Sequence, residues 1–455
     1  MKTRVVLVRH GQSTYNAQKL IQGHCDDSGL TELGEQQARK VGAALVGIPF
    51  EAVYSSPLQR ASRTATLIVE VLRSQIPQIP TPILDADLRE ISLPLWEGIS
   101  FKAAENQYPA EFKAWRSQPE TLKMRVSDAN GAETDFYPVR SLFEQAQRFW
   151  QFLLDKHRGQ TLLLVAHSAI NRALIGTALS LGPEQQNALH QANCGISILN
   201  FAGGWGEAVQ LESMNITSHM GEALPEMRSR HQGPRLLLVR HGETEWNRQK
   251  RFQGQIDIPL NANGQVQAEK AAEFLKTVQI DAAVTSPLLR PKATAEAILK
   301  YHPHLKLEVE DRLKEIGHGD WEGKLEAEIE ASYPGLLAQW QSAPETVKMP
   351  GEAGETLDQV WERAIAGWQK IVADYSDRST PVTVMVSAHD AVNKAILCHV
   401  VGLGPAHFWC FKQGNGAVSV IDYPAGVHSR PVLSASNITT HLSDSIFDRT
   451  AAGAL

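Results

Sequence analysis

The chain is written twice. "VVLVRHGQSTYN" at residues 5–16 returns as "LLLVRHGETEWN" at 236–247, setting His10 against His241, 231 positions apart. Later matches keep the same order. "SSPLQRASRTA" pairs with "TSPLLRPKATA" and aligns Arg60 with Arg290; "LREISLPLWEG" pairs with "LKEIGHGDWEG" and aligns Glu90 with Glu315. "LLLVAHSAINRALI" pairs with "VTVMVSAHDAVNKAIL" and aligns His167 with His389, and "NITSHM" pairs with "NITTHL". The offset shrinks from 231 to 222 through small insertions and deletions. Two copies are too few for a solenoid, and 455 residues are too many for one ordinary core. The expectation is two globular domains in series, residues 1–222 and 235–455. The linker at 223–234 falls in the polar, Gly- and Pro-containing stretch "HMGEALPEMRSRHQGP".

Within each copy, short apolar runs ("VVLV", "AVYSS", "TLLLVAH", "ISILNF") alternate with helical patterns ("TELGEQQARKVGAAL", "PLQRASRTATLIVEVL"). Strand–helix alternation predicts an α/β fold with a mostly parallel sheet covered on both faces. In such sheets ligands bind beyond the carboxyl ends of the strands. Arg9-His10, Arg240-His241, His167 and His389 all fall at such ends.

Composition narrows the function. Hydrophobic residues make up 43%, charged residues 21%, and the formal charge is −6. With no basic stripe, the chain reads as neither nucleic-acid-binding nor membrane-bound. No apolar run approaches the ~20 residues that span a bilayer, and the N-terminal run is too short for a secretory signal. Four scattered cysteines (Cys25, Cys194, Cys398, Cys410) form no disulfide or zinc framework. A cytoplasmic protein is expected, in which the "NIT" sequons at Asn215 and Asn437 are chance or repeat inheritance.

Two arginines, two histidines and a carboxylate at element boundaries suit phosphoryl transfer. Guanidinium offers a planar fork of donors for phosphate oxygens. Imidazole can attack phosphorus and carry it covalently. A carboxyl can protonate the leaving oxygen and then activate water. Thr244 and Asn247 add short-range donors after the second nucleophile, and Gly242 allows close backbone approach. Ser56 is expected to cap a helix with Pro57 at its first position, which places Arg60 one turn in. Pro291, directly after Arg290, predicts a helix that begins differently in the second copy.

Together these motifs resemble the histidine phosphatase superfamily, in its phosphoglycerate mutase-like branch, over both halves. The resemblance implies two tandem three-layer α/β/α sandwiches, each with a largely parallel six-stranded sheet, a phosphohistidine intermediate, and no metal or cofactor. It implies His10 and His241 as nucleophiles and Glu90 and Glu315 as proton donors. Arg9, Arg60 and His167, and in the second copy Arg240, Arg290 and His389, would clamp phosphate. Ser13, Asn16, Thr244 and Asn247 would assist. The copies also depart from the family. "GHCDDSGLTELG" is less family-like than "GQIDIPLNANG"; "AETDFYPVRS" keeps Glu133 and Thr134 of "GETLDQVWER" but changes the residues after them; and a Gly pair after the late histidine is replaced by "HSAI" and "HDAV". "WEG" after the acid, few cations and several aromatics there favour hydrolysis of a small phosphorylated metabolite. A phosphoglycerate mutase, and one active domain beside a non-catalytic copy, are the alternatives.

Overall fold

A computed structural model describes residues 2–127, 131–228, 231–378, 380–443 and 445–451. Residues 229 and 230 of the expected linker, and 379, 444 and 452–455 of the expected second domain, lie outside the described residues. The chain divides into two compact units, Met1–Glu222 and Ala223–Leu455. Leu224 packs on the second unit's core, and the Pro225 carbonyl accepts from Arg235 Nη1 at 2.8 Å.

The first unit runs Thr3–Arg9 (β1), Thr14–Gln18 (α1), Glu32–Ala44 (α2), Ala52–Ser55 (β2), Gln59–Arg73 (α3), Ile83–Leu84 (β3), Phe101–Gln107 (α4), Pro109–Ser117 (α5), Met124–Ser127 (β4), Glu133–Phe136 (β5), Pro138–Lys156 (α6), Thr161–Ala166 (β6), Ser168–Ala178 (α7), Ile196–Phe201 (β7) and Val209–Ile216 (β8). The second runs Arg235–Arg240 (β9), Glu245–Gln249 (α8), Ala262–Leu275 (α9), Ala282–Thr285 (β10), Leu289–Leu299 (α10), Leu307–Val309 (β11), Glu326–Ser332 (α11), Leu336–Ser342 (α12), Leu357–Asp374 (α13), Thr383–Ala388 (β12), Asp390–Val401 (α14), Val418–Asp422 (β13), Pro424–Val427 (β14) and Val432–Ile438 (β15).

Each unit builds the same sheet among its described residues. In the first, β1, β6, β2 and β3 pair in parallel, and β7 and β8 close the other side antiparallel. In the second, β9, β12, β10 and β11 are the parallel strands, with β13 and β15 antiparallel. Val5–Val8 and Leu236–Val239 are fully buried, as central strands covered on both faces require. α2 and α3 pack together, as do α6 and α7, forming the outer layers of an α/β/α sandwich. The first long helix of each unit starts on a side-chain cap: Thr31 Oγ1 accepts from Gly34 N in α2, and Asn261 Oδ1 from Gly264 N in α9.

The two sequons have a structural reason to recur. Asn215 and Asn437 sit at bulges in β8 and β15 with φ of 55° and 51°, a left-handed conformation Asn tolerates. Both are buried, and their Oδ1 atoms accept from Ala192 N and Gly414 N at 2.8 and 2.6 Å. They anchor the loop that returns beneath each site.

Candidate active site

The sheet register brings two histidines together. Arg9 pairs with Ala166 and Arg240 with Ala388, so the next residues, His10 beside His167 and His241 beside His389, leave adjacent strands side by side. Their ring centroids are 5.1 and 5.3 Å apart. His10 Nδ1 meets the Gly11 carbonyl at 2.7 Å, and His241 Nδ1 meets Gly242 O at the same distance. A carbonyl only accepts, so Nδ1 carries the proton and Nε2 keeps its lone pair. Burial, and then the neighbouring arginines, hold all four imidazoles well below their ordinary pKa; they are neutral at neutral pH.

Arg60 and Arg290 are fully buried on the first turns of α3 and α10. Each guanidinium is tied to the opposite loop: Arg60 donates to Cys25 O and Gly23 O at 2.9 and 2.8 Å, Arg290 to Ile256 O and Gly254 O at 3.1 and 2.7 Å. Burial pulls Arg9 and Arg290 down to about 10, still charged at neutral pH. Arg9 Nη1 and Arg240 Nη1 donate to Gln191 O and Gln413 O. The Nε atoms of all four arginines and Nδ1 of His167 and His389 are buried without a partner inside the protein.

The carboxylates sit at the start of the helix that comes after the late histidine. Glu90 accepts from Ala169 N and Ile170 N at 3.0 and 3.1 Å, and Glu315 from Ala391 N at 3.3 Å. The missing Gly pair thus leaves these backbone donors in place. Burial, with Asp390 adding to it, raises Glu315 above the usual carboxylate range. Ser13 and Asn16, and Thr244 and Asn247, form capping boxes on α1 and α8. Both are braced by an asparagine from the far side: Asn193 Nδ2 donates to His10 O and Asn16 Oδ1, Asn415 Nδ2 to His241 O and Asn247 Oδ1.

Three expectations change. Ser56 does not cap a helix that starts at Pro57; α3 begins at Gln59 behind Leu58, and Ser56 Oγ instead meets His167 Nε2 at 2.8 Å, as Ser286 Oγ meets His389 Nε2. The second-copy helix does not begin differently: Arg290 is its second residue, and Pro291 lies where the first turn needs no N–H partner. Gly242 does allow close backbone approach: a Cβ there would lie 2.4 Å from Gly264 O, and Gly11 stands likewise against Gly34. Glu133 does not occupy the place of Glu355. It lies on the β4–β5 hairpin facing Arg125, while Glu355 binds Arg363 Nη2 at 2.7 Å and Gly317 N. Arg363 also donates to Arg312 O, Lys314 O and Glu315 O; in the first unit Gln145 takes the matching carbonyls, Asp87 O and Arg89 O.

Sequence reasoning missed the seats of the histidines. Thr64 and Thr294 accept from Gly11 N and Gly242 N at 3.1 Å, locking the loop after His10 or His241 to α3 or α10. Ser56, Thr64 and Asn193 all recur in the second copy, so a position-by-position reading of the repeat would have singled them out. The Glu of each "WEG" is glue: Glu97 accepts from His24 N and Leu93 N, and Glu322 from Gln255 N and His318 N. Among the described residues no three His, Cys, Asp or Glu side chains gather as a metal site, and no helix is long and apolar enough to cross a membrane.

The family model of the histidine phosphatase superfamily (branch 1) matches residues 5–216 and again 236–437. The chain belongs to that superfamily. It is similar, at 32% identity over 96% of this chain and 86% of the relative, to 2-carboxy-D-arabinitol-1-phosphatase of Triticum aestivum. About half of it (46%) is 34% identical to phosphoserine phosphatase 1 of Hydrogenobacter thermophilus, covering 95% of that protein. A probable phosphoglycerate mutase of Erwinia tasmaniensis is 31% identical over 49% of the chain and 98% of its own length. The superfamily and its phosphatase members make this chain a phosphatase.

Proposed function

We propose that both halves hydrolyse phosphate monoesters of small sugar, sugar-acid or similar metabolites through a phosphohistidine. Nε2 of His10, or of His241, attacks phosphorus in line, forming the P–N bond as the P–O ester bond breaks. Glu90 or Glu315 gives its proton to the departing alcohol oxygen. The carboxylate then takes a proton from water as that water's oxygen attacks phosphorus; the P–N bond breaks and phosphate leaves. Arg9, Arg60 and His167, with Arg240, Arg290 and His389 in the second half, hold the equatorial oxygens.

The observation that carries this reading is the same buried set of partnerless N–H donors around a neutral imidazole in both units. Guanidinium and imidazole N–H groups suit an anion and repel a metal cation, so turnover is expected to persist with chelator. The resemblance to the Triticum aestivum enzyme over nearly the whole chain favours a phosphatase over a mutase, and of the aromatics that follow the acid Trp96, Phe112, Trp321 and Trp340 are buried core. All four cysteines are free thiols, which agrees with a cytoplasmic enzyme. The experiment is labelling with a ³²P-monoester followed by acid or base. An acid-labile, base-stable adduct lost in His10→Ala/His241→Ala supports the reading. A serine adduct, or full turnover by the double variant, overturns it. Full loss in one single variant would leave the other half non-catalytic.

A further inference from the structure

The two sites differ most at the residue after the late histidine, Ser168 in the first half and Asp390 in the second. Asp390 is buried at the start of α14. Its Oδ1 lies 3.6 Å from Arg240 Nη1 and has no hydrogen-bond partner; its Oδ2 accepts from Lys394 Nζ at 3.0 Å. Lys394 is buried too, with Nζ 4.5 Å from the centre of the Trp409 ring. The next backbone N–H, of Ala391, goes to Glu315. A carboxylate therefore lies beside Arg240 and close enough to Glu315 to act on it by charge.

Most other charged groups are matched across the repeat, the exceptions near the acids being the Glu355–Arg363 pair and His24, which meets Glu90 O where neutral Gln255 meets Glu315 O. In the second site stand Arg290 of α10, Arg240 of β9, His241 and His389 at the strand ends, Lys394 of α14, Glu322, and the self-neutralising Glu355–Arg363 pair. At the corresponding positions of the first half stand Arg60, Arg9, His10, His167, Arg172, Glu97, and the uncharged Tyr137 and Gln145. Two further acids are unmatched, but neither charges the site: Glu243 is turned to Asn261 Nδ2, and Asp27 is exposed and screened by water. The buried charge that distinguishes the sites is the Asp390 carboxylate.

We propose that Asp390 is a specificity-determining residue that turns the second site against phosphate esters carrying a carboxylate beside the phosphate, leaving those to the first site, where Ser168 is neutral. A buried charge several ångströms from a substrate anion interacts strongly enough to change its binding by about tenfold or more. The inference rests on the phosphatase reading above and names which substrates each half takes.

The test uses the full chain with one site silenced, His241→Ala to isolate the first and His10→Ala to isolate the second. Phosphate release is followed from 3-phosphoglycerate and from glycerol 3-phosphate, which differ by a carboxylate for a hydroxymethyl group. The ratio of kcat/KM for the two esters is expected to be about tenfold or more higher in the isolated first site. Asp390→Asn, which keeps an acceptor for Lys394, should raise the ratio in the second site mainly through KM. Ser168→Asp should lower it in the first, with melting curves confirming that both variants fold. Equal ratios in the two sites, or ratios that neither substitution moves, overturn the proposal. If neither isolated site releases phosphate from any ester, the phosphatase reading falls and the proposal falls with it.

Discussion

The two halves keep one set of atoms and let its surroundings drift. Each holds a neutral histidine with its proton on Nδ1, a second histidine seated on a serine, two arginines, one of them fully buried, and a carboxylate at a helix start. Around that set the halves part. The loop bearing Glu315 is braced by a charged pair, Glu355–Arg363, where the first half uses neutral Gln145. His24 holds Glu90 O where Gln255 holds Glu315 O. On the proposed function, groups that meet one phosphorus atom constrain one another, whereas each brace needs only to fill its own carbonyls.

The comparison can be pressed hardest at the nucleophiles. Replacing His10 or His241 with Ala should cut turnover by that half roughly 10⁴-fold or more, leaving the other half's intact. Initial rates of the single and double variants check this. Glu90→Gln and Glu315→Gln should each slow the matching half by about 10²–10⁴ on alkyl phosphates. The loss should be smaller with p-nitrophenyl phosphate, whose leaving group needs no proton. The raised Glu315 also predicts that the His10→Ala enzyme keeps its activity to higher pH than an ordinary carboxyl acid would allow, with Asp390→Asn drawing that limb down. Removing Arg363 loosens the seat of Glu315 and should lower the second half's kcat roughly ten- to a hundredfold; Gln145→Ala should cost the first half less.

His318 gives a smaller contrast. It is buried among Phe252, Trp321 and Trp340, both ring nitrogens lack partners, and burial pulls it down to about 3; the first half has Leu93 there. His318→Leu should stabilise the second unit by about 1 kcal/mol, raising its Tm by roughly 2–4 °C. An imidazole held neutral when folded gains its proton first in the unfolded chain. Stability is therefore lost as pH falls below about 6.5, and the variant's advantage should widen there. Smallest of all, Pro291→Ala should change stability by no more than about 0.5 kcal/mol, because the ring sits within the first turn.

Much of this was legible because it was stated twice. The buried strands, the helix patterns and the histidines and arginines that cluster at the strand ends can be read from apolar runs and from motifs that recur in order. What local reading misjudged were partners set by tertiary contact. Ser56 reads as a cap from its neighbour Pro57, yet the strand register hands it to His167, 111 residues away. Glu133-Thr134 matches Glu355-Thr356 in letters, but a longer connection in the first copy places it on a hairpin. In the sequence Asp390 reads only as a missing glycine; its charge acquires meaning from Arg240, 3.6 Å away, and from Glu315 on the next backbone N–H.

The buried asparagines of β8 and β15 carry a practical consequence. Both lie within acceptor triplets for N-linked sugar, and the threonines that complete them, Thr217 and Thr439, are buried as well. An oligosaccharide added to the nascent chain in a secretory host would have to be accommodated where the protein leaves no room, blocking closure of that sheet edge. Recombinant material routed through such a host should emerge misassembled, and bacterial cytosol is the safer factory.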